Sequence, residues 1–246
     1  RLLSKSLLLL VVFLLLPSLV PYSVGIPGVD WLLGFSWLAL TITLFFSVGF
    51  INAVNTIDGA NGLLSGIFTI TCVIFSREIP GIAGYNIALQ SAFYGASLFL
   101  IFNVISGRLF LGDAGSYGIG AAMLLSGLVA LSHDFVSLPF LAALYFYPCV
   151  DFSVSLLRRW RSGASLTAPD NDHLHNRIHT FFKGIFRSKN MANSATGLSI
   201  ALGSSGLVLF IYLADYIPLT SNLWLWVFAL QSALYGLIFM SIGKPK

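Results

Sequence analysis

The stretch Trp31-Leu-Leu-Gly-Phe-Ser-Trp-Leu-Ala-Leu-Thr-Ile-Thr-Leu-Phe-Phe-Ser-Val-Gly-Phe-Ile-Asn52-Ala-Val-Asn55-Thr-Ile-Asp58-Gly59-Ala-Asn61-Gly62 joins an uncharged apolar run to a polar ending. A run of about 20 mostly apolar residues is what a helix needs to cross a hydrocarbon core about 30 Å thick. In the polar ending, Asn52, Asn55, Asp58 and Asn61 recur every third residue. On a helix they drift slowly around one face and form a polar stripe at the end of an apolar segment. Gly59 and Gly62 leave room for a break, or for close approach of the backbone to a ligand. Asn and Asp also cap helices, but a cap needs one such residue and this stretch has four. Polar side chains at membrane level are costly and usually have a task.

Working outward, the same pattern of apolar run and polar punctuation repeats along the chain. The runs fall at 6–24, 31–52, 62–76, 85–103, 117–132, 138–156, 195–214 and 223–242, the third being short. The expected fold class is all-α: a polytopic integral membrane helical bundle of about eight transmembrane helices, a single domain over residues 1–246. Composition agrees, with 57% hydrophobic and 9% charged residues, where soluble domains carry about 25% charged. A mean hydropathy of +0.89 excludes disordered, collagen-like and soluble classes. Arg1 and Lys5 ahead of Leu7–Leu16 imitate a signal peptide. Pro17–Gly28 offers no small-x-small cleavage site, however, and further apolar runs follow, so a mature helix is expected. The chain opens at Arg1 rather than Met, which reads as an N-terminal truncation or a processed product.

The net charge of +4 does not point to nucleic acid, because the basic residues gather mostly in one loop between apolar runs. With the N-terminal end inside, twelve of the thirteen Lys and Arg residues fall on inner segments and Arg77 alone falls outside. That asymmetry fixes the orientation by the positive-inside rule. Cys72 and Cys149 lie within apolar runs and read as packing residues, with no disulfide framework or thiolate metal site.

This topology puts three polar stretches on the inner face, at about 52–62, 103–118 and 157–194. The second contains Asn103, Arg108 and Leu111-Gly112-Asp113-Ala114-Gly115-Ser116. A carboxylate between two glycines leaves space for a hydrated divalent ion and a phosphate, which makes Asp113 the natural Mg²⁺ ligand. Ser116 and the N–H groups opening the next helix suit an anion; a Gly-rich turn with Asp as helix cap is the bland alternative. The third stretch holds Arg158, Arg159 and Arg161, read as topology determinants beside anionic lipid. It then runs Pro169-Asp170-Asn171-Asp172-His173-Leu174-His175-Asn176-Arg177-Ile178-His179. His175 and His179 have zinc-like i, i+4 spacing without the acid a metalloprotease pairs with it. Imidazolium with arginine suits a polyanion such as a diphosphate better. Asp151, near the inner end of its run, either pairs with a basic residue or orients the loop.

Taken in order, these motifs resemble those of the polyprenyl-phosphate N-acetylhexosamine-1-phosphate transferases. Asn52–Leu63 is similar to that family's Asn-x-x-Asn-x-x-Asp-Gly-x-Asp-Gly-Leu, Leu111–Ser116 to its Met-Gly-Asp-x-Gly-Ser, and Asp170–Asn176 to its Asp-Arg-x-His-x-His-His. The resemblance covers nearly the whole chain. It implies a Mg²⁺-dependent enzyme, with Mn²⁺ as the substitute ion, in a bacterial inner membrane with its motif loops cytoplasmic. Such an enzyme moves a sugar 1-phosphate from a UDP-N-acetylhexosamine to a polyprenyl (undecaprenyl) phosphate and releases UMP. It would thereby start an envelope glycan such as O-antigen lipopolysaccharide.

On the matching positions, the resemblance implies Asp58 and Asp113 as catalytic residues, Asp113 also as the metal ligand. Asn52, Asn55, Asn61, Asn103, Ser116, Asp151, His173 and His175 become substrate-binding residues, with Asn103 on the uridine side and His173 and His175 on the diphosphate. Asp58 serves as nucleophile or as base; the sequence leaves both open. The family's second motif-one acid is Asn61 here and its last motif-three His is Asn176. A paired-aspartate motif is expected upstream of Arg1. The implied partners are the nucleotide sugar, the lipid phosphate and membrane lipid, with room for a homodimer and none for nucleic acid. Two rivals stand beside this reading. A transporter or lipid flippase would place its polar groups near mid-membrane and show repeated halves. A non-catalytic or truncated homologue is the other.

Overall fold

Backbone that faces lipid has no water to bond with and must satisfy its N–H and C=O groups internally. In this computed structural model, which describes residues 2–79, 85–165 and 170–243, every described regular element is accordingly helical. In chain order they are α1 (Leu2–Leu15), α2 (Pro27–Leu33), α3 (Ser36–Thr56), α4 (Leu63–Glu78), α5 (Tyr85–Ser106), α6 (Gly112–Ser132), α7 (Leu138–Leu144), α8 (Phe146–Arg161), α9 (Leu174–Lys183), α10 (Lys189–Ala201), α11 (Leu207–Leu213) and α12 (Trp224–Ser241). A π-helical turn over Leu202–Gly206 joins α10 to α11. Arg1, Lys244 and Lys246, used in the charge count, and Pro169 of the third motif lie outside the described residues.

Among the described residues, five helices are long and apolar enough to cross a bilayer: α3, α5, α6, the continuous Lys189–Leu213 and α12. A sixth crossing exists if α7 and α8, bent by 80° at Tyr145, count as one. The expected eight is thus not confirmed by length and composition alone. The first run stops short because Pro17 cannot continue a helix, leaving α1 with 14 residues before a 3₁₀ turn over Pro17–Leu19. The third run, α4, has only 16 residues and is almost wholly enclosed, with Leu63, Leu64, Ile67, Cys72, Ile74 and Phe75 at or near zero exposure. A helix surrounded by other helices need not span lipid by itself.

α4 is the hub, packed on α5, α6 and α10; α3 packs on α1, α6 and α8; and α12 packs on α7. Away from the motif loops, the turns before α7 and before α12 are tied together, Ser137 N–H donating to Leu219 O at 2.9 Å. Some buried polar groups within the bundle find backbone partners: Gln231 Nε2 donates to Ala143 O and Ser204 O, and Ser205 Oγ to Leu144 O.

Candidate functional site

All three polar stretches meet at one end of the bundle. α3 runs to Thr56, which puts Asn52 and Asn55 on its last turns and Asp58 in the turn that follows. Gly62 then opens α4 with φ +80°, a conformation in which L side chains are strained, and a Cβ there would also lie 2.7 Å from Val104 Cγ2. Its N–H donates to Asn103 Oδ1 at 2.6 Å, while Asn103 Nδ2 donates to Leu109 O at 2.6 Å. Asn103 thus joins the first and second stretches through backbone bonds, from a buried position.

The second join is between side chains. Ser116 Oγ, buried on α6, donates to Asn55 Oδ1 and also lies 3.0 Å from Gly112 O. Its hydroxyl is therefore turned toward α3. Asn52 accepts from Lys5 Nζ at 2.7 Å, and that ammonium sits 3.5 Å from the centroid of the Tyr117 ring, which draws α1 into the same end.

Asp58 and Asp113 come from different stretches and act on each other. Burial, and after it the Asp113 carboxylate, push the Asp58 carboxyl up to about 6. Asp58 is half-buried and Asp113 is exposed at the opening turn of α6. This donor set suits a hard divalent cation, which takes one or two carboxylates and completes its shell with water and phosphate oxygens. Among the described residues no group of three His, Cys, Asp or Glu gathers to hold a metal, so the zinc-like spacing of His175 and His179 forms no cage.

The third stretch reaches the first through His175. A Cβ on Gly59 would sit 3.1 Å from His175 Nε2, so the imidazole lies directly on the motif-one turn. His175 is gripped from α8: its backbone N–H donates to Tyr147 Oη at 3.0 Å, and that hydroxyl lies 3.2 Å from its Nδ1. His173 and His175 stack at 5.4 Å with 8° between their planes. His173 Nδ1 is 2.6 Å from Asp151 Oδ2, and Asp151 Oδ1 accepts from Leu174 N–H at 2.9 Å and Tyr235 O–H at 2.8 Å. Asp151 therefore both pairs with a basic residue and orients the loop. The imidazolium expected at His175 is corrected: burial, aided by the neighbouring charges of His173 and His179 and opposed by Asp151, holds its pKa down at about 4. It is a neutral ring near neutrality.

One arginine also needs correction. Arg158, read from sequence as a lipid-facing topology determinant, is engaged by Asp170 and stands 3.8 Å from Asp172. Burial alone would raise the Asp170 carboxyl, but Ser155, the Asp172 N–H and the Arg158 guanidinium outweigh it and hold it at about 2. Arg177 forks onto both oxygens of Asp172 at 2.7 and 2.9 Å and donates to Phe239 O and Ile242 O, closing the end of α12.

Asn61 sits in an amide cluster that no motif had flagged. Its Nδ2 donates to Asn190 Oδ1 at 2.9 Å and Ser194 Oγ at 3.2 Å, and its Oδ1 accepts from Asn193 Nδ2 at 3.1 Å. The signal for Asn190, Asn193 and Ser194 was their i, i+3, i+4 spacing on one face of α10. The signal for Tyr147 was its position four residues before Asp151 on one helix. Nothing in the apolar run around Tyr235 distinguished it.

Residues 1–131 match the model of glycosyl transferase family 4. A probable undecaprenyl-phosphate N-acetylglucosaminyl 1-phosphate transferase of Bacillus subtilis is 29% identical over 149 residues, covering 59% of this chain and 42% of that protein. A phospho-N-acetylmuramoyl-pentapeptide-transferase of Clostridioides difficile is 36% identical over 124 residues, covering 49% and 38%. One of the same name from Synechococcus sp. is 30% identical over 202 residues, covering 77% and 54%. The chain thus spans about half or less of the length of these relatives. No solved structure matches it. With the family match extending over more than half of the chain, and the motif loops converging at one end of a membrane helical bundle, the chain belongs to glycosyl transferase family 4.

Proposed function

We propose that this chain carries the site at which an N-acetylhexosamine 1-phosphate passes from a UDP-sugar to a polyprenyl phosphate, releasing UMP and starting an envelope glycan such as O-antigen. The observation that carries the reading is the coupling of Asp58 to Asp113 across two stretches of sequence, at the end where His175 lies on Gly59. The relatives' names, which speak of transfer of amino-sugar phosphates to polyprenyl phosphates, support it.

The two reactants are anionic, so the main obstacle is charge repulsion, and positioning with charge stabilisation does most of the work in phosphoryl transfer. Mg²⁺, or Mn²⁺ in its place, would be held by Asp113 with Asp58 beside it and would neutralise charge on the donor diphosphate. Asp58 takes the proton of the lipid phosphate, whose oxygen then attacks the donor's sugar-bearing phosphorus as UMP leaves. His175, neutral and anchored by Tyr147, offers an imidazole N–H to the diphosphate beside Gly59, and His173 is held next to it by Asp151. Asn52 and Asn55 line the α3 side of the nucleotide-sugar cleft. Asn61, Asn103 and Ser116 keep the three loops in register around it. On this reading the motif loops lie on the cytoplasmic side of a bacterial inner membrane, where UDP-sugars are available.

The test is product formation by the full-length protein in lipid with undecaprenyl phosphate and radiolabelled UDP-N-acetylglucosamine. Label is expected to enter lipid, UMP to appear in equal amount, chelation to stop both and Mg²⁺ to restore them. Labelled lipid forming undiminished in chelator would overturn the metal role. Labelled lipid without stoichiometric UMP would overturn the reaction.

A further inference from the structure

One apolar stripe on α9 runs from inside the protein to outside it. Leu174, Ile178, Phe181 and Ile185 recur at i, i+4, i+7 and i+11, so they project from one side of the helix and of the turn that prolongs it to Phe186. Leu174 is buried and Ile178 packs against the core, whereas Phe181 is 55% and Ile185 59% exposed. Phe182, half-buried, adjoins the exposed half, with its ring centroid 5.6 Å from Phe181 and 5.8 Å from the half-buried Phe186. Asn176, Thr180 and Lys183 lie on the opposite side. Arg187 and Lys189 follow the exposed half in the chain and are themselves exposed. The segment lies between the end of α8, where Trp160 is 70% exposed, and the start of the Lys189–Leu213 span.

That position fixes its level. A segment that leads directly into the membrane-crossing Lys189–Leu213 helix sits where that helix leaves the hydrocarbon, and an apolar stripe continuing past the protein there meets the bilayer. Cations beside aromatic and aliphatic side chains complement an anionic lipid surface. We propose that the Phe181–Phe186 end of α9 is seated in the headgroup region of an anionic bilayer, with Phe181 and Ile185 reaching the acyl boundary and Arg187 and Lys189 at the phosphates. The helix whose first turn carries His173 and His175 is then fixed at both ends, by Asp151 and Tyr147 within the bundle and by lipid outside it.

The test uses the full chain in nanodiscs, with an environment-sensitive fluorophore at Phe181→Cys, Ile185→Cys or Thr180→Cys. Protein with only Cys72 and Cys149 serves as the labelling blank. Bromine on the acyl chains of phosphatidylglycerol discs is expected to quench the probes at 181 and 185 about twofold or more over that at 180, since such helices bury their apolar face about 5–10 Å deep. Quenching is expected to fall in zwitterionic phosphatidylcholine discs. Quenching at 181 and 185 no greater than at 180 would overturn the seating and leave another copy or another protein as the cover. Equal quenching in the two lipids would overturn the anionic assignment. Ile185→Cys carries the test if Phe181→Cys fails to fold.

Discussion

Asp151 on α8 holds His173 at the mouth of α9: its Oδ2 stands 2.6 Å from His173 Nδ1, while its Oδ1 takes bonds from Leu174 N–H and Tyr235 O–H. One carboxylate, 1% exposed, thus ties three elements at the site. Asp151→Ala strands three buried donors, at about 1–3 kcal/mol for each left unsatisfied. We expect a clearly lowered thermal transition in detergent. Asp151→Asn, which keeps an acceptor, should lose less stability. A transition unchanged in Asp151→Ala would contradict this role.

Two groups at the site give stability opposite pH dependences. The Asp58 carboxyl is raised from 3.8 to about 6, so the folded state binds its proton more tightly, and this contribution is present at low pH and lost as pH rises through that interval. His175 is lowered from 6.5 to about 4, so the unfolded chain takes up the proton first, and its contribution is present above 6.5 and lost as pH falls toward 4. Stability measured from pH 4 to 7 should therefore fall more steeply on acidification in Asp58→Asn, and less steeply in His175→Gln, than in the parent. Identical slopes in all three would refute the assignment.

Much of the bundle was legible because a hydrocarbon solvent forces long apolar runs, and α3, α5, α6 and α12 follow them closely. The count of eight was left unconfirmed where enclosure by other helices replaced length, as in α4, and where Pro17 ended α1 early. The 80° bend at Tyr145 left no mark in an apolar run that reads as one span. Within the site, Asp58, Asp113, His173 and His175 stood out because polar groups among apolar residues are costly. What connects them was hidden: the partners of Asn61 lie 129 to 133 positions away in sequence, and no spacing rule reaches that far.

The amide cluster makes the departure from the family's acidic position testable. Asn61→Asp removes the donors to Asn190 Oδ1 and Ser194 Oγ and sets a carboxylate against the first of them. A loss of about 1–3 kcal/mol is expected, read as a lower denaturant midpoint, with no gain in turnover. Increased turnover would show that the acid still has a place here.

Close packing of α10 on the same turn gives a steric test. A Cβ on Gly197 would lie 2.0 Å from Asn61 O and 2.9 Å from Leu63 N, both backbone atoms, whereas one on Gly203 meets nothing within 4 Å. Gly197→Ala should cost at least about 1–3 kcal/mol and displace the Asp58 turn, while Gly203→Ala should be near neutral. Equal effects of the two, followed by thermal melting and by UMP release, would contradict the packing.

The central claim is that Asp58 and Asp113 form one working unit, and the direct measurement is kcat for UMP release in Asp58→Asn, Asp113→Asn and the double variant of the full-length protein. Loss of a group that holds a catalytic cation costs several kcal/mol, about 10²–10³-fold in rate. Each single change should fall by that order and the double change by little more, because residues acting as a unit are not additive. Unimpaired turnover in either single variant, or losses that multiply in the double, would contradict the account.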